Sequence, residues 1–316
     1  MAAYQQPTGS RFGADAMYNG ENRSPGAQIS YFVKIDEKKA SDKKEDDKKK
    51  EDTEDSSEQD EAKVKWDSIT MTIYDGDRLI RTLKQKAPDS SGIYRTTWYM
   101  DEAGVDRHSR TIRKRNRESS GVTVKPGTYK LVMNFGDQTS EEMITVKTDP
   151  RLDVPVSNIN EVYTASKNLE TLQKTMADAV KQLVESKQIA EGFQSDLKKL
   201  DKDKFKEEIK SSKDIVKQID EIIDIYLGKE DKRQGITRNR EVTVSDRLSL
   251  AGFYVGSRQN GLTSTETTLI KNAKDGLNEA LGKTNTFFND SWKPYQEKME
   301  QLKLNPFKEV KSFQLD

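Results

Sequence analysis

The chain has 316 residues, with 54 Lys or Arg against 54 Asp or Glu and so no formal net charge, and its charged fraction of 34% exceeds its hydrophobic fraction of 32%. Even with the 18 glycines added, the apolar share stays below the roughly 45–50% of an ordinary globular chain, which argues against an enzyme built around one large core and for helices with narrow seams or unfolded stretches. Zero cysteines and a single histidine, His108, exclude disulfide frameworks, thiolate metal sites and cysteine nucleophiles, and count against a multi-histidine metal centre or a Ser-His-Asp triad.

The N-terminus, MAAYQQPTGSRF, has neither a basic nor an apolar signal region, and no run of about 18 apolar residues marks a membrane span. The expectation is a cytosolic chain or an exported one whose signal has been removed. Strand signals follow. Ile29, Tyr31 and Val33 alternate within Gln28–Lys34, as do Ile69, Met71 and Ile73 within Ser68–Tyr74, the period of half-buried strands. Asp75-Gly76 marks a hairpin turn into Leu79–Leu83, Ile93–Met100 is an aromatic-rich strand, and Pro126-Gly127 and Gly136-Asp137 bracket Thr128–Phe135 before Glu142–Lys147. Short strands separated by turns predict a small β-sandwich over 28–148. Two insertions interrupt it. Residues 37–63 are almost entirely Lys, Asp, Glu and Ser, too polar to repay their ordering entropy, and are expected to be disordered. Residues 103–122 carry Arg107–Arg117, RHSRTIRKRNR, and read as a mobile basic loop.

The period then changes. Six of the eight prolines lie at or before Pro155 and none falls between Pro155 and Pro294, as long helices require, because an internal proline costs a helix ~3 kcal/mol. Val162, Leu169, Met176, Leu183, Ala190 and Leu197 are spaced by seven, and three residues after each come Ala165, Leu172, Ala179, Ser186, Phe193 and Leu200. That is a coiled-coil-type seam on a helix about 64 Å long from Asn158, with Glu161 completing a capping box. A second helix runs from Phe205 to a C-cap at Gly228, a polar loop leads to an apolar patch at Leu248–Val255, and a third helix starts at Thr263 with Glu266 as its capping partner. Pro294 is expected to kink or divide it. The layout is α+β and multidomain: an extended segment (1–27), the sandwich (28–148), a linker (149–156), a helical hairpin or bundle (157–304) and a tail (305–316).

Two resemblances add to this. Ile-Tyr-Asp-Gly-Asp-Arg-Leu-Ile-Arg-Thr-Leu (73–83), the Trp98 strand and Val-Lys-Pro-Gly-Thr-Tyr-Lys-Leu (124–131) are similar in order to the immunoglobulin- or fibronectin III-like domains of the flagellar-hook-capping type. The run Tyr18–Gly26, then Pro126–Tyr129, Val146–Arg151 and a long helix resemble the C-terminal region of exported bacterial proteins that carry a sortilin-type β-propeller and a glycosyl-hydrolase label. No propeller blade motif occurs in this chain, and the resembling region has no catalytic role, so the likeness implies a non-catalytic accessory part of a cell-surface assembly.

Each candidate residue also has a plainer role. Trp66, Trp98 and the arginines Arg107, Arg110, Arg113 and Arg115 offer a sugar-stacking platform and an anion grip, although strand aromatics usually fill a core and charge runs are usually solvated. Phe287, Phe288, Trp292 and Tyr295 form either the bundle core or a partner interface. Asp75, Asp77 and Asp101 carry the carboxylates calcium prefers, but turn chemistry accounts for the first two. His108 is expected to be exposed and idle. No catalytic residue, metal, cofactor or nucleic-acid interface is expected, the last because neither interleaved aromatics nor a positive field is present. The leading expectation is therefore a structural, protein-interaction module with a protein partner, with a glycan-acting accessory domain and a carbohydrate-binding module as alternatives.

Overall fold

The computed structural model describes residues 25–34, 68–112, 117–229, 241–258 and 260–302. The charged insertion 37–63, nearly all of the segment 1–27, and the tail 305–316 lie outside the described residues. The chain divides into two units, one of residues up to Val105 with Arg115–Tyr163, the other of Asp106–Lys114 with residues from Thr164 onward.

In the first unit the alternating segments are strands: β1 (Ala27–Val33), β2 (Ser68–Asp75), β3 (Arg78–Lys86), β4 (Gly92–Trp98), β5 (Asp101–Gly104), β6 (Ser119–Thr123), β7 (Gly127–Phe135) and β8 (Gln138–Val146). All pair antiparallel, as a four-stranded sheet in the order β3-β2-β7-β8 and two ribbons, β1-β4 and β5-β6. The hairpins β2/β3 and β7/β8 each close on a Gly-Asp pair, with Gly76 at φ +61° and Gly136 at φ +58°, glycine taking the first central position of a two-residue turn. Alternation puts Ile69, Met71 and Ile73 of β2 inside with Ile80, Tyr129 and Leu131, and against them pack Val33 and Trp98 from the β1-β4 ribbon.

The ribbon β5-β6 takes in both ends of the stretch expected to be a mobile loop at 103–122. Its strands carry no apolar alternation, and what forms them is close backbone approach. A Cβ on Gly104 would sit 2.3 Å from the Ser120 carbonyl oxygen, and one on Gly121 2.8 Å from that of Glu102. Only glycine fits at either place.

The second unit is helical: α1 (Val156–Asp201, whose first turns to Tyr163 group with the strands), α2 (Lys206–Leu227), α3 (Val244–Gly256), α4 (Ser264–Phe287), a π-helical turn (Phe288–Trp292) and α5 (Lys293–Glu300). At 46 residues, α1 is about 69 Å long. It starts two residues before the expected Asn158 cap, because the Pro155 carbonyl already accepts from the Asn158 and Ile159 amides. The sevenfold seam is buried within the chain at Leu169, Met176, Leu183, Ala190 and Leu197. It widens at Ala177, Val180 and Val184, which are also buried, so α1 presents a broad face to its neighbours rather than a two-position stripe. Leu200, at the end of the seam, stays exposed.

Helix α2 stops at Gly228, at φ +77°. Both α3 and α4 begin with reciprocal capping boxes, Thr243 with Asp246 and Thr263 with Glu266. The second was expected, and the first makes a helix of what reads in sequence only as an apolar patch. Pro294 has no N–H to donate and would clash with the carbonyl four residues back. The chain absorbs this by widening one turn, so that the Lys293 amide reaches the Phe288 carbonyl five residues earlier. Among the described residues no helix is long and apolar enough to cross a membrane.

Candidate functional site

The densest polar cluster of the strand-bearing unit is built on Arg78 and Arg81 of β3 and the consecutive acids Asp101 and Glu102. Both acids are buried. Glu102 accepts a forked pair from Arg78, at 3.0 and 2.9 Å, and a third bond from the Tyr163 hydroxyl at 2.6 Å. Lys125 lies over the Tyr163 ring, 4.9 Å from its centroid. Asp101 accepts from Ser120 at 2.6 Å and faces Arg81 at 3.4 Å. Arg81 also donates to the Glu102 and Ser119 carbonyls. Burial, and then the bond to Glu102, push the Tyr163 phenol above its ordinary range. The acids follow Met100, at φ +56° the one described non-glycine residue with positive φ, a conformation that costs on the order of 1–3 kcal/mol. It is held by the Val124 amide on the Met100 carbonyl and by the Trp98 indole N–H on the Asp101 carbonyl, both at 2.9 Å. Held by both arms of Arg78 and by the Tyr163 hydroxyl, the Glu102 carboxylate acts as a clamp.

The basic stretch behaves differently from a solvated loop. Arg110 donates to the Asp224 carboxylate at 2.8 Å and to the Gly228 carbonyl at the end of α2. His108, expected to be idle, is half-buried with both ring nitrogens bonded, Nδ1 to Gln173 of α1 at 2.8 Å and Nε2 to Ser245 of α3 at 2.9 Å. The Gln173 amide nitrogen can only donate, so Nδ1 accepts and the ring proton sits on Nε2, pointing at the Ser245 oxygen. A general base needs the reverse polarity, so the triplet ties the loop down and does not activate the serine.

Burial, and then Arg107, hold the His108 pKa below its usual value. The neutral ring is thus the folded form. Its contribution is complete above about pH 6.5 and is lost as pH falls from there through the depressed folded value. We expect amide protection of residues 106–112 to drop between pH 7 and 5, measured by hydrogen exchange, and the drop to vanish in His108→Gln.

A third buried acid, Glu266, lies in the helical unit. It accepts from the Thr263 hydroxyl and amide and faces Arg258 Nε at 2.9 Å. These bonds, the hydroxyl foremost, hold its pKa at about 2. Its support is therefore present above the ordinary carboxylate range and lost as pH falls towards 2. Glu266→Gln is expected to lower Tm at pH 7, with the gap to the parent closing between pH 4.5 and 2 in a thermal melt series.

The sequence-derived candidates do not converge. Trp98 is fully buried, edge-on to Tyr129 at 5.5 Å, so it has no face for a sugar, and the stacking expectation is corrected to a core role. Trp66, Arg113 and Arg115 lie outside the described residues. Arg107 is exposed, and Arg110 is committed to α2. Phe287 and Tyr295 are buried, and Phe288 and Trp292 half-buried, in one chain of ring contacts between 5.3 and 6.5 Å. The Tyr295 hydroxyl bonds Ser212 at 2.9 Å. That makes two of the four bundle core rather than partner interface. Among the described residues no three His, Asp or Glu gather to hold a metal.

What sequence reasoning missed is α3. Its inner face, Val244, Leu248, Ala251 and Val255, is buried, yet Leu250, Phe253 and Tyr254 on the outer side are exposed, Phe253 at 72%, as is Val242 just before the helix. Val242, Leu250 and Phe253, with Leu269 and Asn272 of α4, border an open groove of about 720 Å³, whose polar margin is Asp246, Arg247 and Ser249. The sequence signal was available. A capping box followed by apolar residues on both sides of one helix means that one side must find cover elsewhere. A second exposed apolar pair, Phe32 opposite Ile93 on the β1-β4 ribbon, lies next to residues outside the described set.

No protein-family model, curated protein or solved structure matches the chain.

Proposed function

We propose that this chain is a non-catalytic, protein-interaction module, its strand-bearing unit an immunoglobulin- or fibronectin III-like sandwich and its helical unit the docking part, belonging to an exported bacterial cell-surface assembly. The observation that carries the reading is the apolar groove on α3 and α4. The buried acids are each held by arginine, tyrosine or hydroxyl groups, whereas three large apolar side chains, Val242, Leu250 and Phe253, face water around one depression. Exposed patches rimmed by polar groups mark interaction sites. What supports the sandwich is one apolar core shared by the four-stranded sheet and the β1-β4 ribbon. What supports the surface assembly is the motif order that resembles the region following a sortilin-type propeller.

The test is turnover of a panel of aryl glycosides by the full chain, alongside equilibrium binding to a glycan array. No turnover and no saturable glycan binding are expected. Hydrolysis that persists through repurification and is lost on changing a single acid would overturn the proposal.

A further inference from the structure

We infer that Asn260-Gly261, in the connection between α3 and α4, is a site of spontaneous covalent modification. The asparagine side chain closes on the Gly261 amide and is converted to a carboxylate beside the cap of α4. This does not depend on the interaction-module reading.

The chemistry asks for a side-chain amide in water, a following residue without a Cβ, a following N–H committed to no hydrogen bond, and a backbone free to turn. Among the described residues Asn260 is the one asparagine outside a helix or strand, the others standing in α1, β7, α4 or the π-helical turn. A helix fixes ψ near −42° and commits each following amide to a carbonyl earlier in the chain, so the nitrogen cannot turn onto the side chain. In β7 the Asn134 side-chain oxygen accepts from Thr139 at 2.9 Å, and Phe135 follows it. Asn260 is exposed, and among the described residues neither its side chain nor the Gly261 amide has a hydrogen-bond partner.

The fold also protects the reactive neighbour. Gly261 has φ +83°, where any Cβ is strained. The connection therefore requires at 261 the residue that hinders ring closure least. The two Asp-Gly pairs among the described residues, which form the same ring with loss of water, are better restrained. Asp75 is held by Arg78 at 3.1 Å in a closed hairpin turn, and Asp275-Gly276 lies within α4.

The Gly261 nitrogen gives up its proton and bonds to Asn260 Cγ. The Cγ–Nδ2 bond breaks, ammonia leaves and a cyclic imide remains. Water then opens the ring. Opening at Cγ gives aspartate, and opening at the main-chain carbonyl gives β-linked isoaspartate, with a methylene added to the backbone. The balance is asparagine and water to carboxylate and ammonia, with no oxidant or reductant.

The product arises where α4 is sensitive. Arg258 donates through Nη2 to the Thr263 hydroxyl at 3.1 Å, and its Nε faces the Glu266 carboxylate at 2.9 Å. Glu266 is wholly buried, and Gly261 is buried too. A carboxylate at 260 competes for Arg258, and a lengthened backbone displaces Gly261. Both loosen the Thr263–Glu266 capping box.

The experiment incubates the full chain in mildly alkaline buffer, digests it, and follows each asparagine peptide by mass, separating the aspartate and isoaspartate forms. The Asn260 peptide is expected to gain both forms at least about tenfold faster than the asparagines of helices and strands, which must open locally first. The rate should rise with pH, because the attacking amide must lose its proton. Asn260→Gln, whose longer side chain closes a less favourable ring, should start at the parent Tm and lose the modification. After incubation the parent should melt lower than before and Asn260→Gln should not. In Glu266→Gln, where the cap is already weakened, that drop should shrink.

An Asn260 peptide that keeps its amide overturns the inference, whether or not the same dipeptide at Asn19-Gly20 is converted. Conversion to aspartate with no isoaspartate overturns the imide route. Equal melting of the fresh and the fully converted chain overturns the coupling to α4.

Discussion

Trp98→Ala is expected to destabilise the strand-bearing unit by about 3–5 kcal/mol, the range for removing a buried aromatic side chain. Trp98 has no exposed surface and stands where the β1-β4 ribbon meets the sheet, against Tyr129. Its loss leaves a cavity that rigid β-pairing cannot close, and it removes the donor to the Asp101 carbonyl. That bond helps to hold the positive φ of Met100, so backbone strain adds to the lost packing. Of the order of half the stability of a typical domain is at stake. Urea unfolding followed through the methyl signals of Ile69 and Ile73 should show the early transition, with those of Leu183 and Ile219 unmoved. Trp98→Phe should recover most of the packing but not the hydrogen bond. A Trp98→Ala variant as stable as the parent would remove Trp98 from the core.

Arg81→Met is expected to cost about 3–5 kcal/mol in the same unit, as breaking one side of a buried charge pair does. The side chain of Arg81 is 12% exposed and that of Asp101 8%. The substitution keeps the aliphatic stem and leaves Asp101 with the Ser120 hydroxyl alone, while the Glu102 and Ser119 carbonyls lose their shared donor. Arg78→Met should cost less, because Arg78 is about half exposed and water screens the loss. Arg81→Lys should fall between parent and Met, since an ammonium cannot fork to several acceptors. Adding Asp101→Asn to Arg81→Met should restore part of the loss, and equilibrium unfolding of the four proteins closes the double-mutant cycle. Strict additivity would mean that the pair is not coupled.

Much of the architecture was legible in the chain because periodicity is local. Ile69, Met71 and Ile73 announce a strand, Gly76 and Gly136 its turns, and the sevenfold row from Leu169 to Leu197 a helix whose seam is buried. The illegible parts depend on partners remote in sequence. The β5-β6 ribbon has no alternation to read, and depends on Gly104 and Gly121 crossing and on Asp101 and Glu102 meeting arginines about 20 residues earlier. Arg110 reads as one more solvated charge until Asp224, 114 positions away, comes beside it. His108 looked idle because Gln173 and Ser245, its two partners, are chemically unremarkable in sequence. Asn158 has the right chemistry for a cap, but Pro155 had already begun the helix. As for the groove, the apolar run Leu248–Val255 was visible, but which of its side chains stay uncovered is decided by α4 and by nothing in the run itself.

The tether through His108 and Arg110 has a practical corollary for anyone dissecting the molecule. The helical unit is not one continuous stretch of polypeptide, since Asp106–Lys114 belongs to it. A truncation that starts at the Pro150–Pro155 linker would strip Asp224, Gly228, Gln173 and Ser245 of ligands supplied from more than forty positions upstream. The recombinant piece would carry the full set of helices and still be missing its own latch.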